Sequence, residues 1–373
     1  MMIFLFCFLI IVVLGYSFLL FWYYMGFLAR IKKEIGVNNH EKNLATYTFL
    51  SCFKNDLDAV NQLVDKIQVS LLAFKNYVFV NNNSEENHFF DSICQKIKEK
   101  GFSINHFLLH PEKNTKKEAI DLGVRQAETD YIYVTDVDVA FNSEAIQNVL
   151  DFASKSHGDF IAGIHRYLVR KDFLSVFLSI EQDILTLISI GSLEQKYPTM
   201  SNGANMCFKK EAFLQVNGYQ GLFHTNGGDD MFLFHRIFKH FPDNVFYCTD
   251  IQAAVYSDPP NGIKSMIKQR LRWLSKSNSY ELKHVSLQMA LILFGNISYV
   301  FSFILSFFFP AFLVLFLGKW LIDIWFAKVA LNYFKSTISM YLVVLSAFLY
   351  PFYILFLSIL TLVNHFYNLR KRS

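Results

Sequence analysis

The chain is poor in the residues that build cross-linked or metal-stapled folds. Its five cysteines, Cys7, Cys52, Cys94, Cys207 and Cys248, are scattered and show no metal-ligand spacing. A reducing compartment would keep them as thiols, so they read as packing residues. Net charge is also low, at +4, and the basic residues cluster at the borders of apolar runs. That favours contact with anionic lipid over binding of nucleic acid, and no nucleic-acid module is present. Internal repeats and low-complexity linkers are absent as well. From Met1 to Ala29 there is no charged residue at all.

What is there instead is apolar surface. With 53% hydrophobic residues and 41 Phe in 373 positions, the chain has room for one sizeable soluble domain plus membrane segments. The uncharged stretch 1–29, at about 1.5 Å per residue, is long enough for a bilayer core of about 30 Å. A cleavable signal peptide is the competing reading. The missing basic n-region, the length of the run and the lack of a small-residue cleavage site favour a transmembrane anchor. Arg30, Lys32 and Lys33 follow it directly, which places the next segment in the cytoplasm.

Two further uncharged runs lie toward the other end, Val285 to Gly318 and Ser336 to Asn364. Between them Asp323, Lys328 and Lys335 stand among aromatics, the texture of an interfacial helix. The expected organisation is a membrane helix over 1–29, a cytoplasmic domain over 30–255, an amphipathic interfacial segment over 256–284, a span over 285–317, an interfacial helix over 318–335, a span over 336–364 and a basic tail over 365–373. Three crossings keep Arg370, Lys371 and Arg372 in the cytoplasm. Pro310 and Pro351 fall inside the apolar runs and should break or kink helices there.

The middle alternates short apolar strands with helical patterns, as in an α/β domain with a largely parallel sheet. Strands are read over 47–53, 77–80, 104–109 and 131–135, and helices over 56–67, 90–100 and 116–127. The fourth strand runs into "YVTDVDVAF", which carries Asp136 and Asp138 at its carboxyl end, where open α/β sheets bind ligands. Strand alternation would put both carboxylates on one side. A solvated loop would tolerate them there. Two carboxylates held close would otherwise take a shared proton or a hard divalent cation completed by substrate phosphate.

Three more stretches carry chemistry. "TNGGDDMFLFHR" sets Gly227 and Gly228 before Asp229 and Asp230 at the start of a helix; this is either simple N-capping or a general base beside an acceptor hydroxyl. "KQRLRWLSKS" supplies cations and Trp273 before a membrane run, as an interfacial anchor or as guanidinium contacts from Arg270 and Arg272 to a pyrophosphate. In "SNGANMCFKKEAF", Asn202 and Asn205 either bond sugar hydroxyls or cap the turn around Gly203.

The ordered set of Asp136-x-Asp138, "NGAN", Asp229-Asp230 and Gln269-Arg270-Leu271-Arg272-Trp273 resembles the membrane-bound inverting glycosyltransferases of family two, with the GT-A fold. The last element matches their (Gln/Arg)-x-x-Arg-Trp motif, and "KKEAIDLGV" from Lys116 resembles their Lys-x-x-Ala-Leu helix. The resemblance implies a nucleotide-sugar donor, UDP- or GDP-linked, and a Mn²⁺ or Mg²⁺ ion. Asp136 would meet the nucleotide or the metal, Asp138 would ligate the metal, and Asp230 would act as base with Asp229 beside it. Gln269, Arg270, Arg272 and Trp273 would cover the diphosphate, and Lys116 would join the donor site. Many relatives carry Asp-Asp after the second strand to hold the base, whereas this chain has Asn81, Asn82 and Asn83; Asn81 or Asp56 would share that task.

Three spans are too few for a glycan channel, which argues against a processive polysaccharide synthase. The layout is similar to ceramide glucosyltransferases and implies a membrane lipid acceptor at the cytoplasmic leaflet, as in a bacterial inner membrane. A non-catalytic nucleotide- or lipid-binding envelope subunit is the alternative from another class.

Overall fold

The structure, a computed structural model, describes residues 2–33, 45–54, 58–60, 62, 74–81, 95, 98–99, 104–108, 115–225, 227–276 and 279–370. The expected helix over 90–100, most of that over 56–67, Asn82, Asn83 and Asp56 itself lie outside the described residues. Two compact units emerge: an α/β unit of Ile31–Arg166 and Met200–Asp258, and a helical unit of Met1–Arg30, Tyr167–Thr199 and Pro259–Ser373.

The α/β unit is built on a seven-stranded sheet. Its strands are β1 (Tyr47–Phe53), β2 (Phe74–Asn81), β3 (Ile104–Leu108), β4 (Tyr131–Val134), β5 (Phe160–Ala162), β7 (Met206–Lys209) and β8 (Val245–Tyr247). They lie in the order β3-β2-β1-β4-β7-β5-β8. A separate two-stranded sheet pairs β6 (His165–Tyr167) with β9 (Val255–Ser257). Strands β3, β2, β1 and β4 are mutually parallel; β7 runs antiparallel to both β4 and β5, and β8 is parallel to β5. Every residue of β1 and β4 is buried, as expected of strands covered on both faces. The core beneath them is aromatic: Phe49 packs on Tyr77, Phe79 and Tyr133, with ring centroids 5.7, 6.2 and 6.0 Å apart.

Chain order reverses at β1, with β2 on one side and β4 on the other, so a crevice opens beyond the carboxyl ends of β1 and β4. Helix α2 (Lys116–Gln126) enters from that end. Its first turn is closed by a capping box in which Thr115 and Glu118 satisfy each other's backbone N–H groups. Gly123 lets the helix lie against β1, because a Cβ there would meet Leu50 Cδ1 at 2.4 Å. Helices α3 (Ser143–Ser156), α5 (Lys210–Gln215) and α6 (Asp229–His240) complete the unit; α4 (Phe173–Glu194) belongs to the helical one.

The helical unit holds α1 (Met2–Lys32), α4, α7 (Ile263–Leu274), α8 (Lys283–Ser306), α9 (Ala311–Tyr333) and α10 (Met340–Arg370). Four of its helices, α1, α4, α8 and α10, are long and apolar enough to cross a membrane. The sequence reading had three. Helix α4 escaped it because Glu181, Gln182 and Asp183 interrupt the apolar run, yet all three are buried inside the unit. Its apolar window is 78% buried against 28% for α1, so α4 spends its face on protein. It therefore sits with the membrane-type helices rather than in the 30–255 domain drawn from sequence. Two glycines bring α1 and α4 together: a Cβ on Gly26 would meet the Gly191 carbonyl oxygen at 2.2 Å. The run 285–317 is divided by the break at Pro310, which caps α9, while Pro351 is carried inside α10.

Candidate active site

At the carboxyl end of β4 the strand stops at Val134, and Asp136 and Asp138 stand on the turn that follows. The chain has left the sheet there, so the extended strand to 135 read from sequence is one residue too long. The alternation nevertheless persists: Val137 and Val139 are buried, Asp136 is half-buried and Asp138 is exposed. Thr135 anchors the turn, its hydroxyl donating to the Ala204 carbonyl at 2.8 Å and its own carbonyl accepting from Ser51 Oγ at 2.9 Å.

Lys116, the first residue of α2, draws the acidic groups together. Its Nζ lies 2.6 Å from Asp136 Oδ1 and 2.9 Å from Asp229 Oδ2. Burial disfavours its charge, but Asp136 and Asp229 outweigh that and hold the ammonium well above the ordinary lysine range. The adjacent Lys117 is fully buried and does a different job. Its Nζ donates to Thr225 Oγ1 at 2.6 Å and to the Thr225 carbonyl, and lies over the Phe232 ring. It thereby ties α2 to the loop that delivers Asp229 and Asp230.

That loop depends on glycine. Gly227 and Gly228 have φ of 66° and 74°, the left-handed region, and Gly228 is the N-cap of α6. Asp229 and Asp230 occupy the first turn of α6 and part ways. Asp229 is buried against Lys116, and its carbonyl accepts from the fully buried Tyr219 hydroxyl at 3.0 Å. Asp230 is half-buried, and its Oδ1 and Oδ2 accept backbone N–H groups of Met231 at 2.8 Å and Gly203 at 3.1 Å. Gly203 is hemmed in: a Cβ there would come within 3.3 Å of Asp229 Oδ2 and 3.5 Å of Lys116 Nζ.

The structure therefore brings Lys116, Asp136, Asp229, Asp230 and Gly203 into one constellation, with Asp138 two residues from Asp136. Asn202 borders it, with its amide on His165. Asn205 is a correction to the sugar-facing role read from the sequence. It is 0% exposed, its Nδ2 donates to the carbonyls of Ile164 and Ala253, and its Oδ1 accepts from Tyr133 at 3.1 Å. It braces the core. Asn81 is likewise fully buried at the end of β2, in register with Phe53 and Leu108.

Gln269, Arg270, Arg272 and Trp273 lie on α7 of the helical unit. Arg270 is buried there, paired with Glu181, donating to Tyr353 Oη at 2.9 Å and to Gln269 Oε1 at 2.8 Å, with its guanidinium 4.2 Å from the Trp273 ring centre. Burial opposes its charge, and Glu181 more than compensates, raising it further above an already high value. A guanidinium held this way is an internal strut, not the pyrophosphate contact expected of Arg270. Arg272 is exposed.

Among the described residues no group of three or more His, Cys, Asp or Glu is placed to hold a metal ion. Asp136 and Asp138 nonetheless fit a hard divalent cation in the way Mg²⁺ is commonly held, by one or two carboxylates with substrate phosphate oxygens and water completing the shell. Among the described residues the thiols offer nothing competing. Burial pushes Cys52 up to about 12, against the pull of nearby Lys116. His165 and Lys117 escaped the sequence reading. His165 has no local motif, and Lys117 stands next to a lysine that matched one.

No curated protein matches the chain. Among solved structures it is similar to a mannosyltransferase from Pyrobaculum calidifontis in complex with GDP-Man and Mn²⁺, at 12% identity and a TM-score of 0.58, covering 92% of this chain and 97% of that one. Two others are similar over less or at lower scores: S. aureus TarS residues 1–349 (12% identity, TM-score 0.44, 82% and 91% covered) and GalNAc-T7 with UDP, GalNAc and Mn²⁺ (11% identity, TM-score 0.45, 59% and 45% covered). Residues 49–211 match glycosyl transferase family 2, and residues 131–366, well over half of the chain, match glycosyl transferase family group 2. The chain belongs to glycosyl transferase family group 2 and is a glycosyltransferase with a GT-A fold.

Proposed function

We propose that the protein transfers a sugar from a nucleotide-diphosphate sugar to a membrane lipid, with inversion at the anomeric carbon and with the α/β unit on the cytoplasmic side. The observation that carries the reading is the junction of Lys116, Asp136, Asp229 and Asp230 at the carboxyl end of β4. The helices long and apolar enough to enter a bilayer support a lipid acceptor. Arg30, Lys32 and Lys33 at the carboxyl end of α1 support the cytoplasmic orientation.

Asp230 takes the proton of the acceptor hydroxyl as the new carbon–oxygen bond forms, and the bond between the anomeric carbon and the diphosphate breaks with its electron pair leaving on phosphate oxygen. Two backbone N–H groups keep its carboxylate oriented, and its partial exposure leaves it open to an acceptor. Asp229, buried against Lys116, is poorly placed for that role. Lys116 offsets part of the negative charge of Asp136 and Asp229, which lowers the repulsion that a polyanionic donor meets. Asp138, with Asp136, would hold Mn²⁺ or Mg²⁺, which supplies positive charge opposite the departing diphosphate.

The test is release of UDP or GDP from UDP-glucose, UDP-N-acetylglucosamine and GDP-mannose with Mn²⁺, in vesicles of bacterial lipid extract. Asp230→Asn should cut turnover by about 10²- to 10⁴-fold while the donor still raises the melting temperature. Turnover in neither form would favour a binding role without catalysis. Asp138→Asn should abolish the metal dependence of donor binding.

A further inference from the structure

The His165 ring lies beside the acidic site and takes no part in the displacement just described. It is 5% exposed, with Nδ1 3.1 Å from Asn202 Nδ2 and Nε2 2.7 Å from Ser257 Oγ. The direction of both bonds follows from one backbone group. Asn202 Oδ1 accepts from the Ala204 N–H at 2.9 Å, and a backbone N–H can only donate, so the oxygen of this amide faces Ala204 and its NH₂ faces the ring. Nδ1 must then be a bare acceptor. The ring proton is on Nε2, donated to Ser257 Oγ. A doubly protonated ring would set N–H against N–H at Nδ1. Burial agrees, pushing the imidazole down to about 4 against the opposing pull of Asp136.

A fixed ring fixes Asn202, and Asn202 fixes a turn. Its side chain holds the Ala204 N–H, and its carbonyl accepts from the Asn205 N–H at 3.3 Å. Between these anchors sits Gly203, whose N–H reaches Asp230 Oδ2. We infer that His165 is a positioning residue for Asp230: as a neutral acceptor it clamps Asn202, and through that turn it aims the Gly203 N–H that orients the carboxylate. This inference rests on the reading of Asp230 as base. His165 is buried and acts on the carboxylate only through Asn202 and its turn, so its loss should slow chemistry by misplacing that carboxylate while donor binding persists.

The test uses the full chain with UDP-glucose and GDP-mannose as donors in the presence of Mn²⁺, measuring kcat, donor KM and thermal unfolding. His165→Leu and Asn202→Ala should each lower kcat by about 10- to 100-fold with donor KM within about twofold. The double variant should be no slower than the slower single one, because both act through the same turn. His165→Gln, whose side-chain oxygen can accept from Asn202, should recover most of the rate. Unchanged kcat in His165→Leu, additive losses in the double variant, a donor KM that rises as much as kcat falls, or no recovery in His165→Gln would each overturn the assignment. If His165→Leu does not fold, Asn202→Ala decides, since wild-type kcat there overturns it as well. A wild type without turnover on any donor removes the base assignment itself, and shows as zero rate in every form, unlike a failure confined to the variants.

Discussion

Lys116 in the α/β unit and Lys319 in the helical unit each stand beside carboxylate, and they differ in exposure and in how many charges they meet. The Lys116 side chain is 30% exposed and faces two carboxylates, Asp136 and Asp229, so the group carries net negative charge at a crevice. Lys319 is 0% exposed and meets one, Asp323, at 2.6 Å; Asn296 Oδ1 accepts from it at 2.8 Å, and the Tyr16 hydroxyl donates to Asp323 at 2.7 Å. The rings of Tyr16 and Tyr299 enclose the ammonium at 4.7 and 5.1 Å. This second network is charge-balanced and closed, and it links α1, α8 and α9. The first is unbalanced and open. An excess of carboxylate at an open edge is what a site for a cationic partner needs, while a sealed pair specifies how helices meet.

Breaking each network should separate the two roles. The largest effect on stability is expected from Lys319→Met, which leaves Asp323 buried without its counter-charge and should cost about 3–5 kcal/mol. The double variant Lys319→Met with Asp323→Leu should regain most of that in thermal unfolding. Equal melting of single and double variants would mean that the pair does not act as a unit.

A smaller effect is set by acid. Folded His165 takes its proton only near 4, whereas an ordinary histidine does so near 6.5. Between those values the unfolded chain binds more protons, so this contribution is complete above about pH 6.5 and declines as pH falls toward 4, by about 3 kcal/mol at most. Denaturant unfolding from pH 7 to 4 should show that slope in wild type and lose it in His165→Gln.

The smallest stability change is expected at Lys116, whose partly exposed ion pairs are worth under about 1 kcal/mol after solvent screening. Its raised pKa means that the ammonium stays charged through the ordinary lysine range and gives up its proton only above it. Lys116→Met should nevertheless weaken donor binding, and Mn²⁺ should raise the melting temperature of this variant more than that of wild type, because a cation can take the vacated place between the carboxylates. The same ion should do nothing for Lys319→Met. A Mn²⁺ response in both would erase the distinction between open and closed networks.

The parallel half of the sheet was legible in the sequence because its strands are short apolar runs bounded by polar loops. Strand β1 was read with its observed ends, and β2, β3 and β4 within a few residues. The acidic groups were legible too, since Asp136 and Asp138 follow the end of β4 and Asp229 and Asp230 open α6. What could not be read was which member of a pair turns inward. Asp229 and Asp230 are neighbours in sequence, and only the left-handed cap at Gly228 decides that the first meets Lys116 and the second meets Gly203. Asn205 and Arg270 match their motifs by type, yet their partners, Tyr133 and Glu181, come from distant segments. Helix α4 was hidden because its three polar residues suggest a surface and are satisfied only by tertiary packing. His165 had no signal at all, since its role depends on the orientation of a single amide.

Strand β7 is the reversed member of its neighbourhood, with Met206 beside Val134 and Ala162. The loops beyond β1, β4 and β5 leave the sheet, but the Asn202 turn at the same edge leads into it, so its length is locked to a strand register. An insertion of one residue between Asn205 and Met206 would swap the faces of β7 and send Cys207 to the opposite side of the sheet. Length variation among distant relatives should therefore collect in the exits from the parallel strands and spare this entrance.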